Sequence, residues 1–369
     1  MKKIVVSVIV AALFQFMLVS ATTQKKTEKP VAPATMFSQP LVVAWFYSAE
    51  TTHLNPIADA ERVFLPVADG SLSAVSLSTG ELLWKTAPGA DLTASPIECN
   101  GELLVAAKKG ISQSESNSGI LRVLDKRTGL TLRSFDVARP LNSLTCNGGI
   151  VYAGSVDAKV YAFKSSDGSK LWSFQTGAPV NGQTAFMDGR VYVGSDDNNL
   201  YAIDSASGNQ IWKVVTKGKV TGQPSSDGKR IYFGSSDGFV YAVHIASGAV
   251  AWKLRTGARV DAAPIKVKEH LLVGSYDDFF YALNPQNGNI IWKQRVANRV
   301  GSGAIIENEN ALIGPFRSRV LSVFDSNQGL LLNETTLPED VGEIVSAPFQ
   351  NGKQIIVSTD LGLVALKGK

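Results

Sequence analysis

Four aspartates stand forty residues apart, Asp157, Asp197, Asp237 and Asp277, each behind a Gly-Ser pair with one residue between. A carboxylate at such a place could serve as a general base or as one oxygen of a calcium shell. Recurrence in successive copies argues otherwise: aspartate is a turn former, and a group needed at every turn is not one catalytic base. The three histidines, His53, His244 and His270, fall in different copies and form no ligand-spaced cluster, so no metal site is expected. Cys99 and Cys146 are too far apart in sequence to suggest a thiolate metal centre. "GSDD" and "GSSDG" are followed by neither Lys-Ser/Thr nor a helix start, which excludes a phosphate loop, and no strand-to-helix elbow surrounds any serine. No residue set has a catalytic role, and no cofactor is expected from the residues themselves.

The elements that would carry these residues are set by repetition. Trp172, Trp212, Trp252 and Trp292 keep a step of forty, as do Gly154, Gly194, Gly234 and Gly274, and Tyr161, Tyr201, Tyr241 and Tyr281. Trp84 closes an earlier copy and Trp45 stands at the same repeat position before it; Arg133 and Asn333 fill the slot where tryptophan is missing. Three kinds of turn divide each copy: Asn-Gly or Asp-Gly pairs such as Asn100-Gly101, the acidic turns, and turns ending in Gly80, Gly129, Gly168, Gly208, Gly248, Gly288 or Gly329. Four strands fit in forty residues, with no room for a helix. The runs are too continuously apolar for half-exposed strands, as in Leu200-Tyr201-Ala202-Ile203, and match sheets covered on both faces. Radially stacked four-stranded blades supply that cover, since each blade is sandwiched by its neighbours.

The "VYVGS…YA" unit occurs eight times, and the last lacks its tryptophan strand, whereas "LVVAWFY" precedes the first with nothing before it. The expected fold is all-β: an eight-bladed β-propeller of four-stranded antiparallel blades, closed by an N-terminal strand that completes the last blade. Seven blades is the alternative, if the copy stretched by "KKGISQSESNSG" is incomplete.

In such a ring "KVTGQP", "RVDAAP" and "RVGSGA" would be innermost strands lining a central channel. Lys219, Arg259 and Arg299 hold one equivalent position just at their start, and would form a basic arc at one mouth; Asp91 and Glu343 fill that slot elsewhere. The chemistry this suggests is docking of an acidic segment or ligand.

Residues 1–21 read as a signal peptide: Met1-Lys2-Lys3, an apolar run to Val19, then small residues up to Ala21. An uncleaved membrane anchor is the alternative. Residues 22–40, rich in Thr, Lys and Pro, read as a flexible tether to a single propeller domain over 41–369. Losing Lys2 and Lys3 takes the formal net charge from +4 to +2, too small an excess to indicate nucleic acid. Export permits a disulfide, yet equivalent points on neighbouring blades are expected to lie too far apart, so Cys99 and Cys146 read as separate thiols.

The pattern "VYVGSxDxxLYAxDxxSGxxxW" resembles the PQQ-like β-propeller repeat, over Leu41 to Lys369. The resemblance implies that the glycine makes a turn on which an indole of the neighbouring blade lies, a docking role for Trp45, Trp84, Trp172, Trp212, Trp252 and Trp292. It also implies two kinds of function. Some members are quinone- and calcium-dependent dehydrogenases; others are envelope scaffolds, such as the propeller subunit of the machinery that assembles outer-membrane β-barrel proteins. Against the first, the chain has no adjacent cysteine pair and no channel-roofing insertions. Against full identity with the second, it has no cysteine for a lipid anchor near residue 21. The reading is an exported, periplasmic or envelope-associated, monomeric and non-enzymatic scaffold that binds envelope proteins, with a quinoprotein dehydrogenase or its degenerate relative as the alternative.

Overall fold

A computed structural model describes residues 37, 39–110 and 118–369. The signal-peptide reading, nearly all of the tether and residues 111–117 of the Ser-rich insertion lie outside the described residues.

Tyr232 and Val240 show why the blades form. In the blade built from Ser225–Ser226, Arg230–Gly234, Phe239–His244 and Val250–Arg255, the two middle strands are buried on both faces, whereas the outermost alternates between exposed and buried. Continuous apolar runs become middle strands sandwiched by neighbouring blades; alternating runs become outer strands with one wet face. Eight such four-stranded antiparallel sheets are present among the described residues, arranged as an eight-bladed β-propeller. We number them one to eight in chain order. Seven are consecutive in sequence. In blade eight, Phe349–Asn351, Gln354–Thr359 and Gly362–Gly368 are completed on the outside by Leu41–Ser48 from the N-terminal end, with Trp45 opposite Ala365. The insertion-bearing copy is a full blade, Ile97–Cys99, Glu102–Lys108, Gly119–Leu124 and Thr131–Val137, which removes the seven-blade alternative.

The core lies between blades. Eight apolar clusters are found, one at each junction, including the closing ones between blades seven and eight and between eight and one. At six junctions a tryptophan crosses over. Trp172 Nε1 donates to Ser205 O of the next blade at 2.9 Å, Trp212 to Ile245 O at 3.0 Å and Trp252 to Pro285 O at 2.8 Å. Trp45, Trp84 and Trp292 make the same bond to Leu77, Lys126 and Ser326. The ring lies on the turn glycine: Gly208 has φ +75°, and a Cβ there would stand 2.6 Å from Trp172 Cδ2. No side chain fits that position without displacing the indole.

Three expectations change. The Asn-Gly pairs do not all take one turn. Asn100-Gly101 is the two-residue turn with both φ positive, but at Asn147-Gly148 the asparagine ends the strand and the glycine begins the turn. "KVTGQP" is not a strand: pairing starts only at Ser225, and the preceding residues form an irregular linker from the outer strand of the previous blade. Finally, Cys99 and Cys146 form a disulfide, with Cα atoms 5.6 Å apart. Both lie on innermost strands, where blades converge towards the axis, so equivalent points there fall within bridging distance.

Candidate functional site

Linkers between blades and the acidic turns between second and third strands share one end of the ring. Three of the four repeated aspartates, Asp197, Asp237 and Asp277, have both carboxylate oxygens bonded there, whereas Asp157 Oδ1 is buried without a partner. Asp197 Oδ2 accepts from Tyr201 Oη at 2.6 Å and from Gly177 N at 2.7 Å, and its Oδ1 accepts from Asn199 N at 3.0 Å. Asp237 and Asp277 repeat the set with Tyr241 and Lys217 N, and with Tyr281 and Gly257 N; Asp157 bonds Tyr161 Oη at 2.6 Å. Burial alone would raise the Asp197 pKa, but the Tyr201 hydroxyl and the N–H donors outweigh it and the net shift is downward. Burial, then the Asp197 carboxylate, pushes the Tyr201 hydroxyl up to about 12. A carboxylate held by three donors is a poor base; it joins a linker to a turn.

The mouth at this end opens into two adjoining cavities of about 610 and 650 Å³ that share His53, Asn55, Gln183, Thr221 and Gln223. Their walls mix neutral polar side chains such as Asn55, Gln183, Thr221 and Gln223 with apolar ones such as Ile57, Ile97, Pro264 and Phe316. Some of these groups join neighbouring blades: Asn142 Nδ2 donates to Asn181 Oδ1 at 2.5 Å, and Thr221 Oγ1 to Asp261 Oδ1 at 2.9 Å.

The three cations of the arc occupy equivalent, exposed places at the rim, but differ in company. Lys219 Nζ is 2.6 Å from Asp196 Oδ2, and Arg259 Nε is 3.0 Å from Asp261 Oδ2. The Arg259 guanidinium also lies over the Tyr276 ring, 4.1 Å from its centroid. No ion pair is found for Arg299 among the described residues. In the equivalent slot of blade two, Asp91 pairs with Lys108 at 2.8 Å; Glu343 donates its backbone N–H to Asp360 Oδ1 at 2.7 Å.

Sequence reasoning missed Tyr276, Phe316 and Arg317. Tyr276 and Phe316 line the larger cavity. Arg317 stands where the preceding four copies have aspartate, and Leu321 where they have the tyrosine that bonds it. Aligning the copies against each other, rather than counting what they share, would have found them.

No group of three or more His, Cys, Asp or Glu that could hold a metal ion is found among the described residues. His244 and His270 sit on strands of blades five and six, and His53 lines the channel. No helix among the described residues is long and apolar enough to cross a membrane.

Fold and repeat together define a PQQ-like β-propeller. The profile of the family described as outer membrane protein assembly factor BamB matches residues 117–220 and 200–367, and the chain belongs to that family. Among curated proteins, outer membrane protein assembly factor BamB of Burkholderia pseudomallei (strain K96243) is 27% identical over 178 residues, which are 46% of this chain and 44% of that protein. The chain thus aligns with less than half the length of that relative. Among solved structures, the computationally designed Ika8 protein superposes with a TM-score of 0.74 at 16% identity, over 88% of this chain and 99% of its own. BamB from Moraxella catarrhalis gives 0.71 at 15% identity, over 89% and 98%. At these identities the two structures speak for the fold alone.

Proposed function

We propose that this chain is a non-catalytic scaffold of the cell envelope that holds envelope proteins together during outer-membrane protein assembly. The observation that carries the reading is the division of labour at the ring's mouth. Three of the repeated carboxylates, Asp197, Asp237 and Asp277, are consumed in joining linkers to turns, while exposed cations and the half-buried aromatics Tyr276 and Phe316 of blades six and seven stand around a cavity of mixed polar and apolar lining. That is a surface for docking. Membership of a family described by outer-membrane protein assembly supports the same reading. On it, the chain is exported, works in the periplasm as a monomer, and needs no quinone or calcium; Lys219, Arg259 and Arg299 belong to the docking face, and the six tryptophans hold the ring.

The test is capture. A tagged chain lacking residues 1–21 is passed over envelope extract of its source, and bound proteins are identified by mass spectrometry. Recovery of outer-membrane β-barrel assembly proteins is expected; recovery of none counts against the scaffold. Titration with pyrroloquinoline quinone and Ca²⁺, followed by dye reduction with alcohols and sugars, tests the non-catalytic part, which stoichiometric binding with turnover would overturn.

A further inference from the structure

Blade seven departs from the repeat at several places on the same rim. Its linker presents Gly301, Ser302 and Gly303 to the cavity, where blades four and five present Asn181 and Gln183 or Thr221 and Gln223. Its second turn carries Phe316, aromatic like Tyr276 at the same place in blade six, followed by Arg317 where the four preceding copies have aspartate. Phe316 N donates to Arg299 O at 2.9 Å, which fixes turn and linker side by side. The Arg317 guanidinium lies 6.0 Å from the Phe316 centroid. Arg299 and Arg317 are exposed, and no ion pair is found for either among the described residues. On the blade-six side the patch continues into Tyr276 with Arg259 stacked on it, and the hydroxyl of Tyr276 leans over Gly301, 2.8 Å from where a Cβ would stand.

We propose that this patch, Arg259, Tyr276, Arg299, Phe316 and Arg317 beside the Gly301–Gly303 linker, docks a short partner segment in which carboxylates flank an aromatic residue. The inference rests on the scaffold reading and names the chemistry of its partner. Guanidinium groups bind carboxylates with directed, charge-assisted hydrogen bonds. The rings of Tyr276 and Phe316 line the same cavity and offer a face on which a flat apolar group can lie. The patch has limits that define the segment. Asp261 is already neutralised by Arg259. On the blade-eight side Ile344 O accepts from Arg317 N at 2.8 Å, which brings neighbouring Glu343 and its partner Asp360 to that border, where they repel a long acidic run. One or two carboxylates beside an aromatic residue fit; a polyanion does not.

The experiment uses fluorescence anisotropy with a labelled peptide, Gly-Ser-Glu-Tyr-Glu-Ser-Gly, and a twin in which both Glu are Gln. The acidic peptide is expected to bind, and the twin about tenfold more weakly or worse, the factor that one lost charge-assisted contact of about 1.4 kcal/mol corresponds to. Arg299→Ala with Arg317→Ala should cost the acidic peptide at least that factor, Tyr276→Ala should weaken both peptides, and 0.5 M salt should weaken only the acidic one. Lys353→Ala, an exposed cation on an inner hairpin of blade eight, is the control and should change nothing. Both arginines are exposed, so their replacement leaves the fold intact, which the tryptophan emission spectrum verifies. Equal binding of the two peptides, or binding indifferent to the arginine pair, overturns the proposal. Capture separates this site from the reading it rests on. If wild type and the arginine variant recover the same assembly proteins equally, the site is wrong and the scaffold stands. If wild type recovers none, the scaffold reading fails and the peptide titration alone decides the site.

Discussion

Asp197 illustrates how single residues serve the ring. Its three donors come from its own turn, its own third strand and the linker of the preceding blade, so removing the carboxylate releases all three at once. Asp197→Ala is expected to destabilise by about 1–3 kcal/mol, read from urea unfolding, because a buried hydroxyl and N–H lose their acceptor. The same groups set the acid limit. Asp69 is held down at about 2 against an ordinary 3.8, chiefly by Lys85 and also by Ser71, and Asp197 and Asp227 are lowered as well. A carboxyl with a folded pKa below its unfolded one stabilises the protein above the unfolded value, and that contribution is lost as pH falls through the folded one. Unfolding midpoints should therefore be flat at neutral pH and drop between about pH 4 and pH 2, with Asp69→Asn and Asp197→Asn shrinking the drop. Trp172→Ala removes an indole from a turn glycine together with its bond to Ser205, and should cost about 3–5 kcal/mol by the same unfolding measurement.

Among elements, the two junctions without tryptophan are the instructive ones. Between blades two and three, Arg133 stands in the slot and Phe135 lies on Gly168 instead; there the disulfide joins the two innermost strands. Between blades seven and eight, Asn333 Nδ2 donates to Gln39 O at 2.6 Å, and Phe37, fully buried, fills the junction beside Leu312, Leu321 and Leu337. Each missing indole coincides with another fastening. Reduction, or Cys99→Ser with Cys146→Ser, should lower stability by about 2–4 kcal/mol, with amide exchange rising first in blades two and three. The bridge was not legible in the sequence because repeat equivalence fixes height along a blade but not radius, and only near the axis are such points close. Trp45, by contrast, was legible: one packing problem, an indole opposite an alanine of the third strand, is solved six times with the same residue pair.

For the whole molecule, repetition made the fold readable and hid the site. Forty-residue spacing exposes whatever every blade needs, which is packing and turns. Arg317, in the proposed docking patch, stayed invisible to it because it departs from the aspartate that the four preceding copies share. The basic arc shows the opposite failure: its equivalence was readable, but Asp196 and Asp261, which neutralise Lys219 and Arg259, come from turns and linkers whose side-chain directions sequence does not give. Closure is the global property most open to test. Deleting Leu41–Ser48 leaves Gly362–Gly368 with an unpaired edge in a three-stranded blade, and should produce more self-association in sedimentation velocity than the intact chain shows.

That closing strand also imposes a schedule. Leu41 pairs with Gly368, so the strand Leu41–Ser48, made before every other described strand, finds its partner only after all of those have been made. Blades one to seven can assemble as they emerge, but blade eight cannot be finished early. Joining ends this distant requires a costly loop closure, and such pairings form slowly. Until then the chain is an open arc with two unfinished faces. The protein becomes a ring at one late moment, and pulse-labelled amide exchange should find Leu41–Ser48 protected last.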